Sequence, residues 1–300
     1  MLAEAVHSLA DSGNEALLLL GRSRAGQQQT EEHPFGFGAE RYFYAFIVAV
    51  LLFTVGALFS VYEGVMRISH PEHVTSPAVA FGVLGIAALL EAFSFRTAII
   101  ESNRSRGSRS WRNFIRHAKA PELPAVLLED AAALVGLFFA LCGVTLTTLT
   151  GNGRWDGAGS LAVGVVLGCV AAILATEMKS LLIGESASAV AEAAVVAAIE
   201  GVPELLRVIH LRTLHVGPDT LLVVAKVAVR GTDSAAVVTG AIDAAELRIR
   251  AAVPIAHLIF LEPDLYDPAR ADAGDPAVRA ARRSALRSAL KVLRRASPRQ

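Results

Sequence analysis

Two residues with metal-binding side chains stand four positions apart near the start of the chain. His7 and Asp11 lie in the apolar segment 1–21, which reads MLAEAVHSLADSGNEALLLLG. On a helix this spacing places both residues on one face. An imidazole nitrogen and a carboxylate oxygen can together hold a divalent cation such as zinc. Ionisable groups inside an apolar span usually mark a substrate, ion or proton path. The alternative is a helix-end patch whose polar side chains reach the membrane interface.

Long apolar segments must position these residues. The chain is 53% hydrophobic and 19% charged, and its formal net charge is zero. About 20 consecutive apolar residues are enough to cross a bilayer as a helix. Windows of that length occur at 1–21, 42–66, 76–99, 123–149 and 157–183. We therefore predict an α-helical polytopic membrane domain with five spans, and the lipid bilayer as its surroundings.

Basic residues are concentrated in two of the segments that connect these windows. Arg22, Arg24 and Arg41 follow the first window, and segment 101–122 contains five arginines and Lys119. Because cytoplasmic loops are rich in Lys and Arg, we place both segments and the C-terminal part of the chain in the cytoplasm. The first helix then runs from outside to inside. This topology leads us to expect a further helix upstream of Met1.

The sequence contains little that is typical of other function classes. Cys142 and Cys169 lie alone in separate predicted spans, with no metal-binding spacing and no disulfide framework. We find no nucleophile–base set, no phosphate-binding glycine loop and no cofactor fingerprint. We therefore expect a membrane transporter and not an enzyme, without a cofactor and without nucleic acid as a partner.

Over residues 1–265 the chain resembles the cation diffusion facilitators, a family of zinc and related divalent-metal exporters. The family has six transmembrane helices, and the second carries an [HD]xxxD pair that His7 and Asp11 match. The branch that includes mitochondrial zinc transporters is the most similar in pattern. By this comparison the first family helix is missing. Further matching segments are 33–46, 61–72, 89–99, 155–168 and 179–187.

The resemblance implies that the fifth family helix supplies the other half of the metal site. Members usually have HxxxD or DxxxD there, and in segment 123–146 Asp130 fits the second position while Val126 occupies the first. Glu129 precedes the aspartate, about 100° further round the helix. We carry over His7, Asp11 and Asp130 as metal ligands and add Glu129 as a helper. The alternative for Glu129 is a partner for an arginine or a neighbouring helix.

The chemistry of these ligands predicts how transport would be driven. Imidazole and carboxylate groups bind metal only when deprotonated, so metal entry expels protons and proton entry expels metal. We expect the efflux of a divalent cation, zinc first, in exchange for protons. Zinc or another divalent metal is then a transported substrate. The alternative function is a truncated or non-transporting member that acts as a metal-responsive regulatory subunit.

The rest of the chain predicts a smaller domain and a tail. Residues 188–266 read helix, strand, strand, helix, strand, which resembles the ferredoxin-like cytoplasmic domain of the family, and the resemblance implies a homodimer. Glu262 stands near a family acidic ligand, but we do not assign a regulatory metal site to this domain. Segment 267–300 is a basic tail, either an amphipathic helix on the inner leaflet or a solvated end. With 1–187 as the transport domain, we predict a multi-pass protein of a bacterial-type plasma membrane.

Overall fold

The computed structural model describes residues 2–71, 76–265, 278–280 and 283, without the side chains of residues 2–9 and 11. The chain divides into two compact units, Met1–Ile183 and Gly184–Gln300. The predicted domain boundary, at 187/188, lies a few residues further along the chain. Nearly all of the predicted basic tail, 267–300, lies outside the described residues.

The first unit consists of helices. Its segments are α1 (Leu2–Ala25), α2 (Glu40–Leu51), a π-helical segment (Leu52–Leu58), α3 (Phe59–Ser69), α4 (Pro77–Arg106), α5 (Trp111–His117), α6 (Glu122–Thr150) and α7 (Arg154–Ile183). The π-helical segment joins α2 and α3 into one helix, Glu40–Ser69, which has 30 residues.

Within the described residues, four helices are long and apolar enough to cross a membrane. They are Glu40–Ser69, Pro77–Arg106, Glu122–Thr150 and Arg154–Ile183. Three of them contain a predicted window entirely, and Pro77–Arg106 contains all of window 76–99 except its first residue. The predicted class, a helical membrane domain followed by a small α+β domain, is confirmed. The first window also forms a helix, α1, but α1 is not among the four. The count of five spans therefore stays a prediction.

Glycines allow α7 to pack closely against α3. A Cβ added at Gly64 would lie 2.8 Å from the carbonyl oxygen of Gly157, and a Cβ at Gly157 would lie 2.8 Å from that of Gly64. At Gly164 an added Cβ would lie 2.6 Å from the side chain of Val61. Small residues permit this approach of two backbones in membrane proteins, where dispersion contacts and not water exclusion bring helices together.

Helix α4 leaves much of its apolar surface uncovered. None of the residues in its most hydrophobic 18-residue window is buried within the chain. Leu89, Leu90 and Phe93 are each about 70% exposed. An apolar surface of this kind is typical of a helix that lies in lipid.

The second unit has the predicted order of elements. It contains α8 (Ala189–Glu200), β1 (Arg207–Gly217), β2 (Thr220–Val229), α9 (Ala235–Ala252) and β3 (Leu258–Leu265). The sheet order is β1-β2-β3, with β1 antiparallel and β3 parallel to β2. Ser188 and Ser234 begin the two helices, because each side chain accepts a hydrogen bond from the backbone N–H three residues later. Apolar residues of the helices and strands form one core.

Candidate metal centre

The structure places two of the predicted ligands together. Glu129 and Asp130 are neighbours on α6, and their side chains are buried, with only 6% and 8% of the residue surface exposed. His7 and Asp11 belong to α1, but their side chains lie outside the described residues. Among the side chains that are described, no three His, Cys, Asp or Glu residues are grouped so as to hold a metal ion. The four-residue ligand set therefore stays a prediction.

Glu129 has a partner on a different helix. Nδ2 of Asn14, on α1, donates a hydrogen bond of 2.6 Å to Oε1 of Glu129. Asn14 is 1% exposed, so the contact is shielded from water. This contact links α1 to α6. It agrees with the alternative that Glu129 is a partner for a neighbouring helix.

Asp130 is held from a third helix. Oγ of Ser94, on α4, donates a hydrogen bond of 2.9 Å to Oδ2 of Asp130. Ser94 lies in segment 89–99, one of the segments that resemble the family. Its hydroxyl fixes one oxygen of the Asp130 carboxylate.

These contacts link two adjacent buried carboxylates of α6 to two other helices, Glu129 to α1 and Asp130 to α4. Glu129 lies seven residues after Glu122, about 10 Å along the axis of α6 from its first residue. Carboxylates at that depth are costly unless hydrogen bonds, cations or protons compensate them. Asn14 and Ser94 are neutral donors, so they orient the carboxylates without cancelling their charge. Such an arrangement can hold a cation.

Asn14 and Ser94 were not among the residues predicted from the sequence. Position 14 follows positions 7 and 11 by seven and three residues, which is the spacing of one helix face, so the helix pattern could have included it. Ser94 gives no comparable signal. A serine in an apolar helix can bond to its own backbone as well as to a neighbour, and only the packing of α4 against α6 identifies its partner.

An ion pair joins the beginnings of α2 and α6. The guanidinium of Arg41 donates two hydrogen bonds to the carboxylate of Glu122, from Nε to Oε1 at 2.5 Å and from Nη2 to Oε2 at 3.0 Å. The side chains are 13% and 22% exposed. A two-point contact of this kind is among the stronger polar contacts in proteins because its geometry is fixed and both groups are charged.

A second group of charges joins α3 to α7. Arg67 pairs with Glu63, one turn earlier on α3, at 2.5 Å, and also with Asp156 at the beginning of α7. Arg67 lies 26 residues after Arg41 on the continuous helix Glu40–Ser69, or about 39 Å along its axis. The two ion-pair groups therefore lie near opposite ends of that helix.

The acidic residue noted in the second unit is engaged by a lysine. Nζ of Lys226, on β2, lies 3.2 Å from Oε1 of Glu262 and 3.2 Å from Oδ2 of Asp264, both on β3. Hydrogen bonds to Glu262 and then to Asp264 raise the pKa of Lys226 above its ordinary value. The ammonium group of Lys226 therefore lies between the two carboxylates of β3 and compensates part of their charge.

One protein family and several known proteins are similar to this chain in sequence. The family described as the cation efflux transmembrane domain matches residues 1–183. The proton-coupled zinc antiporter SLC30A9, mitochondrial, of Xenopus laevis is 39% identical over 62% of this chain and 34% of its own length. Its Homo sapiens counterpart is 36% identical over 62% and 33%. Metal tolerance protein C4 of Arabidopsis thaliana is 32% identical over 62% and 41%. The chain thus spans a third to two fifths of the length of these relatives.

The second unit has neighbours among solved structures. The nickel form of a MamM C-terminal domain variant is 18% identical over 26% of this chain and 96% of its own, with a TM-score of 0.25.

The family match covers more than half of the chain, and it includes every helix that contributes to the buried site. The resemblance to the cation diffusion facilitators, with the mitochondrial-type zinc transporters as similar members, is confirmed. The chain belongs to the cation efflux family.

Proposed function

We propose that the chain moves a divalent cation, zinc first, across a membrane in exchange for protons. The observation that carries the proposal is the pair of adjacent carboxylates, Glu129 and Asp130, buried on α6 and oriented by neutral donors from two other helices. Relatives of this chain are named proton-coupled zinc antiporters, which supports zinc and protons as the exchanged ions.

The proposed site combines these carboxylates with His7 and Asp11 of α1. One nitrogen and several oxygen donors suit zinc, which binds imidazole and carboxylate ligands in sites of four. The ligands must lose their protons to bind the metal, and protonation displaces it. An imidazole with an ordinary pKa changes charge near physiological pH, so a histidine is suited to exchange a metal ion for a proton. Metal and protons therefore compete for the same atoms, which couples their movement in opposite directions when access to the site alternates.

The ion-pair groups at the two ends of Glu40–Ser69 fit such alternating access. Arg41 and Glu122 tie α2 to α6, the helix of the buried carboxylates, whereas Arg67 and Asp156 tie α3 to α7. Opening the site toward one side requires helices at that end to separate. In this proposal the ion pairs hold one end closed while the other is open.

Zinc-driven proton movement in proteoliposomes tests the proposal. The chain would be compared with Asp130→Asn, which keeps the size of the side chain and removes its charge. Glu101→Gln is the matched control, because Glu101 is an exposed glutamate near the end of α4 that pairs only locally, with Arg104. We expect zinc to move protons through the chain and through the control, and flux through Asp130→Asn to fall to the level of empty vesicles.

Two outcomes would contradict the proposal. Normal flux in Asp130→Asn would remove that residue from the path. A chain that binds zinc but moves no protons would favour the alternative of a metal-responsive regulatory subunit. The mass of the purified protein in detergent would test the predicted homodimer. The location of the protein in its own cells would test the predicted placement in the plasma membrane.

A further inference from the structure

Among the described side chains at the candidate metal centre, the amide of Asn14 is the most completely buried. It lies on α1 with 1% of its surface exposed, compared with 6% and 8% for Glu129 and Asp130. A buried amide without partners costs free energy because its hydrogen bonds to water are not replaced. The presence of an asparagine between apolar helices therefore calls for a partner at each of its polar atoms.

One half of this amide has its partner and thereby fixes the orientation of the other half. Nδ2 donates to Oε1 of Glu129 at 2.6 Å. An ionised carboxylate only accepts hydrogen bonds, so the NH₂ group must face Glu129 and the carbonyl oxygen must face away from it. The two polar atoms share one carbon, which places Oδ1 of Asn14 within about 5 Å of Oε1 of Glu129.

The other half of the amide has no partner. Oδ1 of Asn14 is buried and accepts no hydrogen bond from any described residue. Position 14 is on the same helix face as positions 7 and 11, where the spacing of seven and three residues puts them. A buried carbonyl oxygen that lies beside a carboxylate and lacks a donor is suited to a cation.

We propose that Asn14 is a specificity-determining residue of this site, with its NH₂ group holding Glu129 in place and its carbonyl oxygen serving as an additional ligand for the cation. The inference rests on the proposed function, because it requires a cation at Glu129 and Asp130. It extends that function by adding a neutral oxygen donor to the ligands taken from the family resemblance.

A further oxygen donor changes which cations the site accepts. Zinc in proteins is usually satisfied by four ligands, and nitrogen donors suit it well. Manganese prefers carboxylate, carbonyl and water oxygens in sites of six. The carbonyl oxygen of Asn14 therefore contributes more to the binding of manganese than to the binding of zinc, and it broadens the range of divalent cations that the site accepts.

Binding of zinc and of manganese to the purified full chain, measured by equilibrium dialysis in detergent, tests this role. Asn14→Leu removes both polar atoms at similar volume. Asn14→Asp keeps an oxygen at the position of Oδ1. Leu18→Ala is the matched control, because Leu18 is buried one turn further along α1 and contributes only packing. Thermal unfolding without metal reports whether each variant is folded.

We expect Asn14→Leu to bind zinc about 10-fold more weakly, the lower end of the effect of removing a residue that orients a metal ligand. The loss of manganese affinity should be about ten times larger than the loss of zinc affinity, so that the ratio of the two affinities changes. Asn14→Asp should bring this ratio back to within about threefold of the original. Leu18→Ala should lower the unfolding temperature and leave the ratio unchanged.

Three outcomes would overturn the proposal. The first is that Asn14→Leu binds both cations as the unaltered chain does. The second is that Asn14→Leu loses the same factor of affinity for both cations and that Asn14→Asp does not restore it. The third is that Leu18→Ala changes the ratio of zinc affinity to manganese affinity. The second would make Asn14 a structural link between α1 and α6. An unaltered chain that binds neither cation would instead contradict the proposed function itself, so the two failures are distinguishable.

Discussion

Replacing Ser94 by alanine should weaken zinc binding without unfolding the protein. The hydroxyl donates to Oδ2 of Asp130 at 2.9 Å and so orients this carboxylate. Loss of a residue that orients a metal ligand typically weakens metal binding about 10- to 100-fold. Ser94 is half-buried, so water can partly replace the hydroxyl, and we expect the lower figure, roughly tenfold.

The assay is calorimetric titration of the purified chain with zinc, with thermal unfolding measured in parallel. Thr97→Ala is a matched control on the same helix, because the hydroxyl of Thr97 is exposed and bonds only to the backbone carbonyl of Phe93. Ser94→Thr keeps the hydroxyl and should retain most of the affinity. Zinc affinity in Ser94→Ala that equals the affinity of Thr97→Ala would refute the idea that α4 orients a metal ligand.

Three further predictions concern packing, an ion pair and pH. Gly157→Val should destabilise the protein by about 1–3 kcal/mol because the added Cβ meets the backbone of α3. Gly82→Ala, where the added Cβ lies in open space, should not lower the unfolding temperature. Equal effects of the two substitutions on the unfolding temperature would contradict the close packing of α3 and α7. A double-mutant cycle of Arg41→Gln and Glu122→Gln should give a coupling energy above about 0.5 kcal/mol, and additivity would contradict it. The pKa of Lys226 is raised on folding. Its contribution to stability is therefore complete below its unfolded pKa of about 10.4 and is lost as pH rises through its folded pKa. Hydrogen exchange at pH 9 and 11 should show this loss of stability, and the part of it that is due to Lys226 should be absent in Lys226→Met.

The sequence predicted the helices well because their signal is local. The four apolar windows after the first match Glu40–Ser69, Pro77–Arg106, Glu122–Thr150 and Arg154–Ile183, and only residue 76 lies outside them. A membrane requires about 20 consecutive apolar residues in each span, and this demand does not depend on tertiary contacts. The two consecutive strands of the second unit were likewise predicted, and they form a hairpin in which Gly217 pairs with Thr220 across a turn.

The partners of the buried carboxylates were not predictable in the same way. Asn14 and Glu129 are 115 residues apart, and Ser94 and Asp130 are 36 apart. Hydropathy indicates which segments lie in the membrane but not which faces of two helices meet. Arg67 illustrates the same limit, because its pair with Glu63 follows from a spacing of four residues, whereas its pair with Asp156 depends on how α3 packs against α7.

Anomalous scattering from zinc in crystals of the chain would locate the bound ion itself. We predict a peak between α1 and α6, with Asp130 and the nitrogen of His7 as ligands at about 2.0–2.2 Å. In crystals of Asp130→Asn this peak should weaken or disappear. A zinc ion bound only in the second unit, with none beside Glu129 and Asp130, would contradict the account.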